Sequence, residues 1–209
     1  MNWKKIIKDK SKQPMSGTYS DWKEQIAEEC YYQCVYCSIH ESQFGGIDHY
    51  HIEHYKPKSI PKFKDLENDI LNLFYSCPIC NRFKSNDWPN NDDDLNILCY
   101  PNPSKHNYLD LFIVDLETYM LLGKYISSCY LTERLFLNRP QLIYERREQI
   151  LKEREKKVFI EINELKQNEI IKNDLESVNK LYDITSSLLN IIRKRDKIRP
   201  YKLAEIRRK

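Results

Sequence analysis

The sequence predicts an α+β protein in which a short-stranded, cysteine-bearing first half leads into a largely helical C-terminal region. Three observations carry that expectation. Two C-x-x-C pairs, Cys34–Cys37 and Cys77–Cys80, bracket a segment rich in histidine, carboxylate and asparagine. Apolar residues alternate through Ile47 to Tyr55 and crowd the stretch from Tyr108 to Tyr125, as short strands do. Beyond Pro140 they recur every three to four residues with charges between them, the pattern of amphipathic helices.

With 209 residues the chain has room for one domain, or one domain with a helical appendage. Neither a signal-peptide pattern nor a membrane-spanning apolar run stands out, so a cytoplasmic protein without membrane association is expected. Residues 1–20 are basic and then turn-rich at Pro14, Ser16, Gly17 and Thr18. Tyr19 to Ala27 reads as a helix capped by Ser20 or Asp21, with Trp22, Ile26 and Ala27 on one face. Phe44-Gly45-Gly46-Ile47 is a turn signal; a strand from Ile47 would carry the histidines back toward the first knuckle until Pro57 ends it. A helix is expected near Cys80, bearing Asn81 and Lys84. The Pro-, Asn- and Asp-rich run from Asp87 to Ser104 reads as loop.

Tyr108 to Tyr125 predicts one or two strands, paired as a hairpin through Glu117-Thr118. Pro140 suits a first helical position with Asn138 or Arg139 as cap, and a second helix runs from about Asp174 to Arg195, giving an antiparallel pair. The chain thus divides into a lead-in and helix at 1–29, a knuckle-bearing core at 30–100, a connecting β/loop region at 101–139, and a helical region at 140–209 that offers a docking surface and ends in a basic tail.

Four thiolates in two C-x-x-C pairs match a structural tetrahedral zinc site, because each knuckle sets both sulfurs on one side of a tight turn. Without an export signal, zinc is a better account of Cys34, Cys37, Cys77 and Cys80 than disulfides are. Cys30, Cys99 and Cys129 then read as small buried hydrophobes. Between the knuckles, the Glu53 carboxylate and the Asn81 amide oxygen could hold Mg2+ or Mn2+ with positions left for water and a phosphate oxygen. His54, neutral near pH 7, could take a proton from an attacking water.

Lys56, Lys58, Arg82 and Lys84 surround this segment and would neutralise phosphates without reading bases. His49 and His51, with Asp48, are candidates for an outer shell, and His51 is an alternative ligand. His106 and the Asp92-Asp93-Asp94 run read as structural and as a solvated loop. A net charge of +3 does not by itself argue for nucleic acid, but Arg193 to Lys202 and Arg207 to Lys209 form a basic tail, either a phosphate-contacting arm or a solvated end.

Glu53-His54-x-x-Pro57-x-Ser59, then Asn72-Leu73, then Cys77-x-x-Cys80-Asn81-x-x-Lys84, resembles the zinc-bearing HNH endonucleases. The resemblance implies a ββα-metal core around one divalent cation. Glu53 is then a metal ligand where many members carry aspartate, His54 the general base, and Asn81 the final metal ligand where others carry histidine. Asn72 would orient the base and its loop, and Lys84 would meet a phosphate. More closely, His51 to Ser59, Ser76 to Asn81, and Leu137-Asn138-Arg139-Pro140 resemble the PtuB-like HNH subunits of bacterial Septu and the retron-associated HNH proteins. That likeness implies an anti-phage nuclease acting on DNA or RNA, tRNA included. Its implied partners are an SMC- or ABC-type ATPase (PtuA-like) and, in a retron, a reverse transcriptase with its msDNA. The competing class is a non-catalytic zinc module that binds nucleic acid or bridges proteins, in which Glu53, His54 and Asn81 would lie apart.

Overall fold

The computed structural model describes residues 3–167 and 175–196. They fall into two units, 3–115 with 120–139, and 116–119 with 140–196. The first unit opens with an extended segment and α1 (Lys23–Glu29), whose Ile26 and Ala27 are fully buried. The expected caps do not start this helix. The Asp21 carboxylate instead accepts from the Thr18 amide at 2.8 Å, closing a turn ahead of it, and Trp22 holds the cap position without a side-chain capping bond. Tyr31 and Tyr32, both at positive φ, stop the helix and deliver the chain to Cys34.

The first knuckle leans on the sheet that follows, since the Val35 amide donates to the Tyr75 carbonyl. That sheet is β1 (His51–His54) paired antiparallel with β2 (Leu73–Ser76), in a register that sets Glu53 opposite Phe74 and His54 opposite Leu73. The strand expected from Ile47 is shorter: Gly45 and Gly46 take positive φ, residues 47–49 form a 3-10 turn, and pairing begins at His51. Its partner is the segment entering the second knuckle. All four residues of β2 are buried.

Next comes α2 (Pro78–Lys84), two residues earlier than expected. Pro78 needs no amide partner at a first helical position, and the Cys77 sulfur takes the Cys80 amide. The order β1, β2, α2 is therefore a hairpin-like pair followed by a helix, with the four cysteines at its base. Farther on, β3 (Phe112–Val114) and β4 (Leu121–Gly123) pair antiparallel, as the apolar run from Tyr108 suggests. At Gly123 a Cβ would lie 2.4 Å from the Cys129 amide nitrogen, so only glycine lets the following helix come this close.

That helix, α3 (Ile126–Arg134), is not apparent in the sequence. Its buried face is Ser127, Ser128 and Leu131, which gives no apolar stripe, and its start is fixed by the Tyr125 amide donating to the Ser128 hydroxyl. Cys30 and Cys99 are buried as expected, but Cys129 is exposed because it sits on the outer side of α3.

The second unit is α4 (Pro140–Gln167) and α5 (Leu175–Asp196). They lie antiparallel, since Arg195 near the end of α5 reaches Glu148 in the first half of α4 and Glu155 near its middle, at 3.3 and 3.4 Å. Leu151, Val158, Ile184 and Ile191 form their shared core. Of the basic tail, Arg193, Lys194 and Arg195 fall in the last turn of α5, whereas 197–209 lie outside the described residues, as does Asp174, where the last helix was expected to begin. Among the described residues no helix is long and apolar enough to cross a membrane.

Candidate active site and its metal cluster

Cys34, Cys37, Cys77 and Cys80 converge from the two knuckles, every sulfur within 4.8 Å of the others and all four residues buried. Zinc–sulfur bonds of about 2.3 Å put the corners of a regular tetrahedron about 3.8 Å apart. The Cys37 and Cys77 sulfurs are separated by 3.7 Å, which suits a shared tetrahedral metal and is far too long for a disulfide. The donor set therefore fits a structural zinc ion.

A fifth residue meets this cluster. The Arg139 guanidinium, 6% exposed, points Nη2 at the Cys37 sulfur at 3.5 Å and at those of Cys77 and Cys80 at 3.8 Å, while Nη1 reaches Cys80 at 3.7 Å. Burial opposes its charge, but the thiolates of Cys80, Cys37 and Cys77 hold it protonated and raise its pKa. Arg139 thus does not cap α4, as its position before Pro140 suggests. Its side chain is spent on sulfur.

Glu53, His54 and Asn81 line one open groove of about 830 Å³, together with Tyr19, Lys23, His51, Lys58 and Arg82. The hairpin and helix explain the convergence: Glu53 and His54 end β1, and Asn81 sits on the first turn of α2, which follows directly from β2. The two non-cysteine ligand candidates are a carboxylate and an amide oxygen, hard donors that fit Mg2+ or Mn2+ with water and phosphate completing the shell.

His54 is held in one orientation. Its Nε2 lies 2.9 Å from the Glu67 carbonyl, and a carbonyl only accepts, so Nε2 carries the proton and Nδ1 is the basic nitrogen. The Tyr19 ring meets the imidazole edge-on at 4.8 Å between centroids. Burial is the main cause that pushes the His54 pKa down to about 4; the Glu67 carbonyl opposes this, and Lys58 and Lys84 assist it. The imidazole is therefore neutral, and able to accept a proton, across the physiological range.

Asn72 stands behind this base. Its amide oxygen accepts from the Lys56 amide at 2.8 Å, and its nitrogen donates to the carbonyls of Lys56 and Leu66 at 3.1 and 3.2 Å. It thus stitches the chain leaving β1 to the loop that returns to β2.

Lys84 departs from expectation. It is fully buried, so it cannot meet a phosphate; its ammonium sits 2.6 Å from Glu53 Oε1 and 3.0 Å from the His54 carbonyl. Tyr36 donates to the same Glu53 oxygen at 3.3 Å. Burial pushes the Glu53 carboxyl up, and Lys84 and Tyr36 work against that. Helical spacing carried a signal for this, because Lys84 lies four residues after the buried Cys80 on the inward face of α2.

The remaining cations sort by position. Lys58 and the exposed Arg82 line the groove, whereas Lys56 lies over the Phe63 ring, away from it. Lys58 also gives its ammonium to the Tyr19 hydroxyl at 2.5 Å and to Glu67 at 3.1 Å. Lys23 and Tyr19 line the groove from the N-terminal segment, and nothing in their spacing to the central motif marks them. His51 is exposed and borders the groove; His49 is exposed in the preceding turn. His106 bonds Asp93 at 2.9 Å, and Asp93 also takes the Asn102 amide, so this aspartate is a loop brace and not a solvated charge.

Residues 34–87 match the family model described as HNH endonuclease. The match spans both knuckles, β1, β2 and α2, with Glu53, His54, Asn72, Asn81 and Lys84, and it leaves out Tyr19, Lys23 and Arg139. Over this stretch the chain is similar to HNH endonucleases, and the match supports nuclease activity. No curated protein and no solved structure gives a significant match to the chain.

Proposed function

We propose that the protein is a metal-dependent endonuclease hydrolysing phosphodiester bonds of DNA or RNA. The observation that carries this reading is the meeting of Glu53, His54 and Asn81 in one groove, with the basic Nδ1 of His54 left over from its bond to Glu67. Glu53 and Asn81 would hold Mg2+ or Mn2+, which supplies charge stabilisation at the phosphate and the leaving oxygen. His54 accepts the proton of the attacking water, and Asn72 keeps the strand end that bears it in place. Lys23, Lys58 and Arg82 attract phosphates into the groove, and zinc on the four cysteines holds the knuckles without joining the chemistry. A non-catalytic zinc module has no need of these three side chains in one groove, and their shared location supports the enzymatic reading.

Within that reading, we infer an effector nuclease of the Septu or retron kind, working with an SMC- or ABC-type ATPase. The support is the likeness of residues 51–59, 76–81 and 137–140 to PtuB-like subunits. In α5, Val178, Leu181, Tyr182, Leu189 and Ile192 are exposed, and they offer the ATPase a helix face. The test incubates purified protein with Mg2+ or Mn2+ against plasmid, single-stranded DNA and tRNA, alone and with a PtuA-like ATPase. Metal-dependent cleavage of one of these is expected; intact substrate under all conditions, with zinc bound, would refute the nuclease. Leu181→Glu with Leu189→Glu in the full chain should abolish ATPase co-purification, and undiminished capture would remove α5 as the docking face.

A further inference from the structure

We propose that Arg139 is a functional part of the zinc centre, a cationic outer partner that sets how tightly the four cysteines keep their metal. The inference rests on zinc occupying those cysteines. Four thiolates around Zn2+ carry formally two net negative charges, and a buried net charge is costly unless something answers it. Among the described residues no carboxylate pairs with Arg139, although it is buried. Its two terminal nitrogens are directed at three of the four sulfurs instead. Each N–H donated to a thiolate draws charge off the sulfur, which makes the sulfur harder to protonate and slower to release metal. Outer partners of this kind are worth 10- to 100-fold in metal affinity, in order-of-magnitude terms.

The segment that carries Arg139 is built to hold it there. Leu135 and Leu137 are fully buried, and the Leu137 amide bonds the Thr132 carbonyl. Asn138 takes both backbone groups of Leu121, accepting from its amide at 2.7 Å and donating to its carbonyl at 3.0 Å. Nη1 of Arg139 also donates to the carbonyls of Leu135 and Phe136. Every residue from Leu135 to Arg139 is therefore tied down in the first unit before α4 begins. These bonds restrict the Arg139 side chain, so little ordering is lost in meeting the thiolates. Neither knuckle encodes this partner, which enters from 59 to 102 residues farther along the chain.

The experiment uses full-length protein loaded with zinc and competed with a chromophoric chelator, and the same protein loaded with cobalt(II). Arg139→Met should weaken zinc retention by about 10- to 100-fold, and Arg139→Lys, which keeps the charge without the fork, by an intermediate factor. In the cobalt form of Arg139→Lys the thiolate-to-metal charge-transfer band should move to longer wavelength, because sulfurs stripped of N–H donors hold their electrons less tightly. Zinc retention equal to that of the unaltered protein in both variants would overturn the proposal. So would weaker retention with an unmoved cobalt band, which would mean that Arg139 only packs. Should the unaltered protein bind no zinc through its cysteines, the zinc reading falls, and the role of Arg139 falls with it.

Discussion

Lys84 Nζ lies 2.6 Å from Glu53 Oε1, and both side chains are buried, at 0% and 3% exposure. A lysine expected to touch substrate is instead the internal counter-ion of a candidate metal ligand. Both hydrogen-bonding partners of that carboxylate, Lys84 and Tyr36, fall on Oε1. Glu53 nevertheless lines the groove, whereas Lys84 does not.

Lys84→Met should therefore be among the most damaging single changes, because it leaves a buried carboxylate without its cation, a loss of about 3–5 kcal/mol. Chemical denaturation of the zinc-loaded protein measures it. The double variant Lys84→Met with Glu53→Gln should recover much of the loss, since the stranded charge goes too. Strictly additive losses would show that the pair does not interact.

The His54 pKa makes a prediction about pH. Burial above all holds the folded pKa near 4, against an ordinary value of 6.5. Protonation thus favours the unfolded chain: the stability that the neutral imidazole contributes is complete above about pH 6.5 and is lost as pH falls toward about 4. In activity, kcat/KM should show no inflection from His54 between about pH 5.5 and 7.5, in line with its folded pKa. An NMR titration of the His54 ring with a midpoint near 6.5 would contradict the account.

Asn72→Ala removes one acceptor and two donated bonds that join the end of β1 to its return loop. The unpaired Lys56 and Leu66 groups should lower stability by about 1–3 kcal/mol, read as a shifted urea midpoint. Turnover should fall as well, because the same stitches position the strand end carrying His54. A stable variant with full activity would show that the stitches do not matter.

Lys23 and Arg82 line the groove without entering the hydrogen-bonded set around His54. Substituting either with alanine should weaken nucleic-acid binding and reduce the slope of log affinity against log salt by about one, with the maximal rate kept. Filter binding by a His54→Ala background at several salt concentrations gives the slope. An unchanged slope would place the phosphates elsewhere.

The central motif was legible because its chemistry is local. The knuckles, the Glu53-His54 pair and Asn81 stand at spacings that a hairpin and a helix turn into proximity, and the paired strands near residue 112 and the helices after Pro140 announce themselves by period. What was not legible depends on long-range packing. The face of α3 is buried through serines, so no apolar stripe marks it. Spacing puts Lys84 on the side of α2 that buries Cys80, but its enclosure also depends on Tyr100, whose ring lies 5.4 Å from its ammonium. Arg139 lies where a helix cap belongs, and only the folded chain brings it to the sulfurs.

The measurement that tests the central claim most directly is the single-turnover rate of phosphodiester cleavage by the unaltered protein and by His54→Ala, each with Mg2+ or Mn2+ and with a chelator. The account predicts cleavage that needs the divalent ion and falls by about 10²- to 10⁴-fold when the imidazole is removed. Equal rates for the two proteins, or cleavage that persists without metal, would contradict it.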